Sequence, residues 1–206
     1  MDPDFLLRGL IIGFSIAVAV GPINILCIHR TLADGRTIGL LSGLGAATGD
    51  AFYAFIAGFG LTFLSRFLVG QQRLLLLAGG VFLCYLGIKT FLSNPNPKGE
   101  MSGEKGIGKT YSYSSTFLLT VTNPMTIILF TAAFAGLGMG SVARDYNSAG
   151  LLVIGVFCGS TVWRIVLSGI LSMIQERFTT VGLRCLNRVS GVIITGFGAY
   201  ALFLVI

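Results

Sequence analysis

Asp50 is the only acidic residue inside the hydrophobic segments of this chain, at the centre of the run from Ile38 to Leu64. A carboxylate at the middle of a bilayer costs roughly +2.5 to +3.5 kcal/mol on insertion scales unless it is paired or faces water. A buried carboxylate that persists at such a cost suits coupling chemistry: it takes up and releases a proton, or holds a cation. Arg164 is a second charge of this kind, within LLVIGVFCGSTVWRIVLSGI. Two readings of it stay open. It pairs with Asp50 from another helix, or it snorkels toward the membrane interface. As a pair, the two would suit a substrate with both an ammonium and a carboxylate. Trp163, the lone tryptophan, either stacks on Arg164 or fills a helix contact.

Two prolines mark a further constellation. Pro22 follows Gly21 and precedes Asn24; Pro124 follows Asn123 and precedes Thr126. Proline has no N–H and clashes with the carbonyl one turn earlier, so each leaves backbone unpaired in an apolar setting. Such backbone is tolerated at membrane depth only when buried in protein or lining a wet cavity. Two breaks at matched positions, each with an Asn within two residues, favour site lining over simple kinking. Other chemistries find no support. His29 is the only histidine, and with Cys27 it offers two ligands near a helix end, too few for a metal site. No Ser/His/Asp set can form around it, and the glycines contain no GxxxxGK[ST] phosphate loop. No enzyme activity, metal or cofactor is expected.

The elements that must position these residues are membrane helices. The chain has 206 residues, 54% hydrophobic and only 11% charged, with a mean hydropathy of +0.86, which excludes a soluble domain. Apolar segments lie at about 5–28, 38–64, 74–92, 115–136, 149–172 and 189–206. Each is long enough to cross a hydrocarbon core of about 30 Å. The start MDPDF is acidic and the apolar run continues past Ala17-Val18-Ala19, so the first segment reads as a span rather than a signal peptide. The four cysteines, Cys27, Cys84, Cys158 and Cys185, show no paired spacing. The net charge of +6 does not indicate nucleic acid, because its distribution follows the spans. Arg30, Arg36, Lys89, Lys98, Lys105, Lys109, Arg177, Arg184 and Arg188 fall on one side; Arg8, Arg66, Arg73 and Arg144 fall on the other. The positive-inside rule then puts both termini outside.

A linker of Pro, Gly, Ser and charge at 93–114 divides residues 1–92 from 115–206, three segments each. The halves echo one another. Gly21-Pro22 returns as Asn123-Pro124, 102 positions on; Gly45, Gly49 and Asp50 return as Gly155, Gly159 and Ser160, 110 positions on; Gly80 and Gly87 return as Gly191 and Gly198, 111 positions on. Three crossings per half is an odd number, so the second half enters from the opposite side. The predicted fold is therefore an all-α integral membrane protein of six transmembrane helices arranged as two inverted three-helix repeats, a plan of secondary transporters. The small-xxx-small pairs Gly45/Gly49 and Gly155/Gly159 serve packing within the chain and packing of a homodimer equally well.

The stretch from Gly21 to Leu61 (GPINILCIHRTLADGRTIGLLSGLGAATGDAFYAFIAGFGL) resembles the signature region of the lysine exporter (LysE/RhtB) family, as does Thr122 to Gly138 (TNPMTIILFTAAFAGLG). The ordered combination of GPxN, Gly35, GxGxxxGD and NP carries the resemblance, which spans nearly the whole chain. It implies an amino-acid or metabolite efflux carrier of the bacterial inner membrane, driven by an ion gradient; Asp50 then either couples transport to a proton, the expected coupling ion, or selects a cation. The residues it transfers are Gly21, Pro22, Asn24, Gly45, Gly49, Asp50, Asn123 and Pro124. Many members have a Lys directly after the second Asn-Pro, where this chain has Met125. Relatives in the wider superfamily are associated with cadmium resistance, so efflux of divalent cations is the alternative. A third reading, a non-transporting membrane scaffold, predicts no cavity.

Overall fold

The computed structural model describes residues 4–19, 21–59, 72–93, 108–123, 126, 129–130, 133, 146–175 and 180–204. All the secondary structure among them is helical: α1 (Asp4–Val18), α2 (Pro22–Asp34), α3 (Arg36–Gly58), α4 (Gln72–Leu92), α5 (Lys109–Thr122), α6 (Tyr146–Gln175) and α7 (Thr180–Phe203). Among the described residues, Arg36–Gly58, Tyr146–Met173 and Val181–Phe203 are long and apolar enough to cross a membrane, and the bent pair α1–α2 adds a fourth crossing when taken as one span. The third expected segment forms a shorter apolar helix, Leu76–Leu92. The fourth opens as α5, whose KTYSYSST start is too polar for a span by itself and lies partly in the expected linker. Pro124 and positions 94–107 of the linker lie outside the described residues.

Local sequence sets the helix ends. Gly21 is extended (φ −158°, ψ 176°) before Pro22, which occupies the first turn of α2. Asn123 is likewise extended (φ −79°, ψ 118°) at the end of α5, as the residue before a proline is driven out of the α region. The first expected segment is therefore not one kinked helix but two, at 74° to each other. Gly35 joins α2 to α3 with φ 92°, in the left-handed region that an L side chain rarely adopts. The last helix starts at Thr180, earlier than expected, so Arg184 and Arg188 sit on exposed faces of α7 rather than in a loop.

Helix α3 is central: it packs on α2, α5 and α6, while α1 packs on α6 and α4 on α7. Apolar side chains such as Leu7, Ile11, Leu74, Val81, Ile170 and Val192 are exposed, whereas many polar ones are buried. That inversion fits a lipid-facing surface. In lipid, close packing rather than hydrophobic burial holds helices together. Accordingly Gly155 and Gly159 lie against the backbone of α1, at Leu6 and Leu10, and Gly45 lies against the backbone of α5, at Tyr113. The glycine pairs read from the sequence thus serve packing within the chain. In α4 and α7, Gly80 approaches Gly198 and Gly87 approaches Gly191, so the two helices run antiparallel.

Candidate functional site

A cavity of about 100 Å³ lies where the α1–α2 break meets α3, α6 and the segment after α5. Gly21, Asn24, Asp50, Asn123, Thr126 and Arg164 all line it, with Ile16, Ile23 and Leu129 among its apolar walls. Six of the ten residues singled out by sequence are therefore brought together. Gly45 and Gly49 are not in the wall: both pack α3 against α5, at Tyr113 and Thr120. Pro22 is buried at the first turn of α2, behind Gly21.

Asn24 organises the break. Its Nδ2 donates to the carbonyls of Ala17 (2.8 Å) and Ala19 (2.7 Å), which the end of α1 leaves without helical donors. Its Oδ1 then faces the other way and accepts from Nη1 of Arg164. At the second break the Tyr53 hydroxyl donates to the carbonyl of Val121, and Asn123 Nδ2 donates to Thr126 Oγ1 (3.1 Å). Both breaks therefore expose backbone that side chains from elsewhere satisfy, as membrane depth requires.

Asp50 is 3% exposed and accepts a hydrogen bond from Ser160 Oγ at 2.7 Å. Arg164 is 6% exposed, so it does not snorkel. Nor does it form a direct ion pair with Asp50: among the described residues each charge is tied to a neutral partner instead. Among the described residues the guanidinium Nε is buried without a hydrogen-bond partner, and the Cys27 thiol lies beside the group. Trp163 packs edge-on to Phe14 of α1 (centroids 5.7 Å apart) and fills a helix contact. A larger groove of about 340 Å³ between α4 and α7 is lined by Ile88, Phe91, Leu92 and Val192 and has no charged side chain in its wall.

Three contributors were not singled out from sequence. Ser160 holds Asp50, and only its register with Asp50 in the second half pointed to it. Gly43 opens the GxGxxxGD motif; a Cβ there would meet Arg164 Cβ at 2.8 Å, so its bareness lets the arginine stem cross α3. Arg30, read as a loop charge, is instead 1% exposed within α2. It donates to Ser42 Oγ, Ser112 O, Thr116 Oγ1 and Ser115 Oγ at 2.8–2.9 Å. His29, one residue before Arg30, is also buried and meets Asn187 at 2.8 Å.

The fold and site together define a polytopic helical membrane protein with a small polar cavity at interrupted helices. The chain belongs to the LysE type translocator family, whose pattern matches residues 14–204. It is 27% identical over 201 residues to "Putative amino acid efflux protein YcgF" of Bacillus subtilis (strain 168), covering 96% of this chain and 94% of that protein. It is 29% identical over 181 residues to "Uncharacterized membrane protein YahN" of Escherichia coli (strain K12), covering 86% and 78%. "Chemotactic transduction protein ChpE" of Pseudomonas aeruginosa is 26% identical over 201 residues, covering 95% and 96%. No solved structure matches the chain.

Proposed function

We propose that this protein is an ion-gradient-driven secondary transporter that exports amino acids or related small metabolites by alternating access. One observation carries the reading: residues of both halves meet in a single cavity that holds a buried carboxylate and a buried guanidinium. A packing scaffold has no use for such a space. In this reading the substrate's polar groups meet Asn24, Asn123, Thr126 and the broken-helix backbone at Gly21-Pro22 and Asn123-Pro124. Asp50 takes the coupling proton, and Arg164 is the counter-charge. A divalent cation would find one carboxylate beside a guanidinium, a poor donor set for such an ion.

Alternating access rests on two inverted halves, 1–92 and 115–206, joined by 93–114, and the contacts support it. Exchanging the halves by the sequence offsets turns the Gly80–Gly198 contact into Gly191–Gly87, and both occur. The same exchange maps Asp50 onto Ser160, so their hydrogen bond joins equivalent positions. At the coarser level of helices, Gly155 packs on the α1 backbone and Gly45 on the α5 backbone. The charge bias supports a bacterial inner-membrane orientation with both termini outside.

The test is efflux from cells loaded with amino acids by dipeptide feeding, with wild type, Asp50→Asn and empty vector side by side. Faster export of at least one amino acid by the wild type, lost in Asp50→Asn at equal membrane abundance, is the expected result. Export unchanged in the variant refutes the coupling role of Asp50. No export across the panel refutes the amino-acid reading.

A further inference from the structure

We propose that the cavity selects net-neutral amino acids with small uncharged side chains, taking the carboxylate at Arg164 and the ammonium at Asp50. This rests on the exporter reading and adds the charge class, size and orientation of the substrate. Asp50 and Arg164 are the only charged side chains among the described residues of the cavity wall. They are opposite in sign, both buried, and not joined to each other; Ser160 holds one and Asn24 the other. Two opposite charges held apart by neutral partners around a common space match a dipolar ligand. A direct ion pair would have closed that space.

The guanidinium is prepared for a carboxylate. Among the described residues, Nη1 bonds Asn24 and the buried Nε bonds nothing. A carboxylate is the group whose two oxygens suit the planar N–H fork of arginine. Charge balance then decides the side chain. A zwitterion with a neutral side chain leaves the summed charge of the site unchanged. A lysine side chain would bring a cation, and a glutamate side chain an anion, with no further counter-charge among the described residues of the wall. An uncompensated charge in a buried site costs several kcal/mol. Volume points the same way: about 100 Å³ is well below the roughly 300–1,000 Å³ of pockets for drug-sized ligands. Ile16, Ile23 and Leu129 supply an apolar wall for a short aliphatic or hydroxylated side chain.

The halves are unequal in the one feature that sets orientation. By the repeat offset Arg164 corresponds to Ala54, so among the described residues the site has a single carboxylate receptor and binds the substrate one way round.

The purified full chain, reconstituted in liposomes, is tested by exchange of labelled small neutral, basic and acidic amino acids. The exchanged substrate then competes against lysine, glutamate and its own carboxamide, which keeps the amine and lacks the carboxylate. For the wild type a small neutral amino acid is expected to compete at least about tenfold better than any of the three. In Arg164→Gln the preference for the acid over the amide is expected to shrink to near unity. If no amino acid is exchanged, the exporter reading falls and this inference with it. If exchange occurs but lysine or the carboxamide competes equally with the neutral substrate, the exporter reading stands and this inference is overturned. Should Arg164→Gln fail to reconstitute, the wild-type competition alone decides.

Discussion

The contact between Ser160 and Asp50 shows how a single hydroxyl can tune the centre of a membrane protein. It is the only hydrogen bond to the carboxylate among the described residues, and it comes from α6, across the interface with the second half. Hydrogen bonds to charged groups contribute about 1.5–3 kcal/mol. Ser160→Ala is therefore expected to slow coupled export roughly tenfold or more, with the protein still folded because α3 and α6 keep their packing. Initial efflux rates at matched membrane levels read this directly; a rate equal to wild type would assign the hydroxyl to packing alone. Arg164 depends on its neighbours in a different way. Its stem passes over Gly43 and its head is held by Asn24, so its position is set by α3 and by the α1–α2 break together.

At the scale of elements, α2 is tied at both ends. Its first turn caps α1 through Asn24, and its last turns carry Arg30 into a ring of neutral acceptors from α3 and α5. Near the same end, His29 meets Asn187, whose Nδ2 donates to the carbonyl of Ser93 beyond α4. A buried cation whose four hydrogen bonds among the described residues all go to neutral groups is stable only while the elements around it stay assembled. Arg30→Ala removes those four bonds and leaves three hydroxyls and a carbonyl to re-pair. A loss of several kcal/mol is expected, each bond to a charged group contributing about 1.5–3 kcal/mol. Thermal unfolding in detergent should show it as a clear drop in midpoint. Arg30→Lys restores only part of it, because three donors on a point charge cannot reproduce the planar fork. A midpoint unchanged by Arg30→Ala would mean the ring contributes nothing to the assembly of α2, α3 and α5.

The whole molecule raises the question of orientation, which the distribution of basic residues answers by expectation. With Cys27, Cys84, Cys158 and Cys185 replaced, a single cysteine at Asp4 is expected to react with a membrane-impermeant thiol reagent in intact cells. A single cysteine at Lys109 is expected to react only after the cells are permeabilised. Labelling of both from outside would break the assignment of the termini and the odd number of crossings in the first half. The packing of α3 on α6 frames the cavity, and the helix breaks at Gly21 and Asn123 both open there.

Much of this was legible in the residues themselves. Hydropathy marks membrane helices because lipid leaves backbone no other way to satisfy itself. Proline dictates its own breaks through local sterics, so Gly21-Pro22 and Asn123-Pro124 could be found without any tertiary contact. Asp50 stood out because an acid inside an apolar run is costly wherever it ends up. The sharp bend between α1 and α2 was not legible, since a proline fixes that a helix breaks but not by what angle it resumes. Whether Arg164 pairs, snorkels or turns to Asn24 depends on which side chains of α2, α3 and α6 come within reach. That is a matter of helix packing between residues 140 positions apart. The burial of Arg30 and His29 was hidden for the same reason: as positions in a sequence they end a segment, and only the approach of α5 and α7 covers them. Sequence determined which groups had to be satisfied; the tertiary structure decided which partners satisfy them, because hydrogen bonds are short-ranged and directional and the chain alone does not specify who is near.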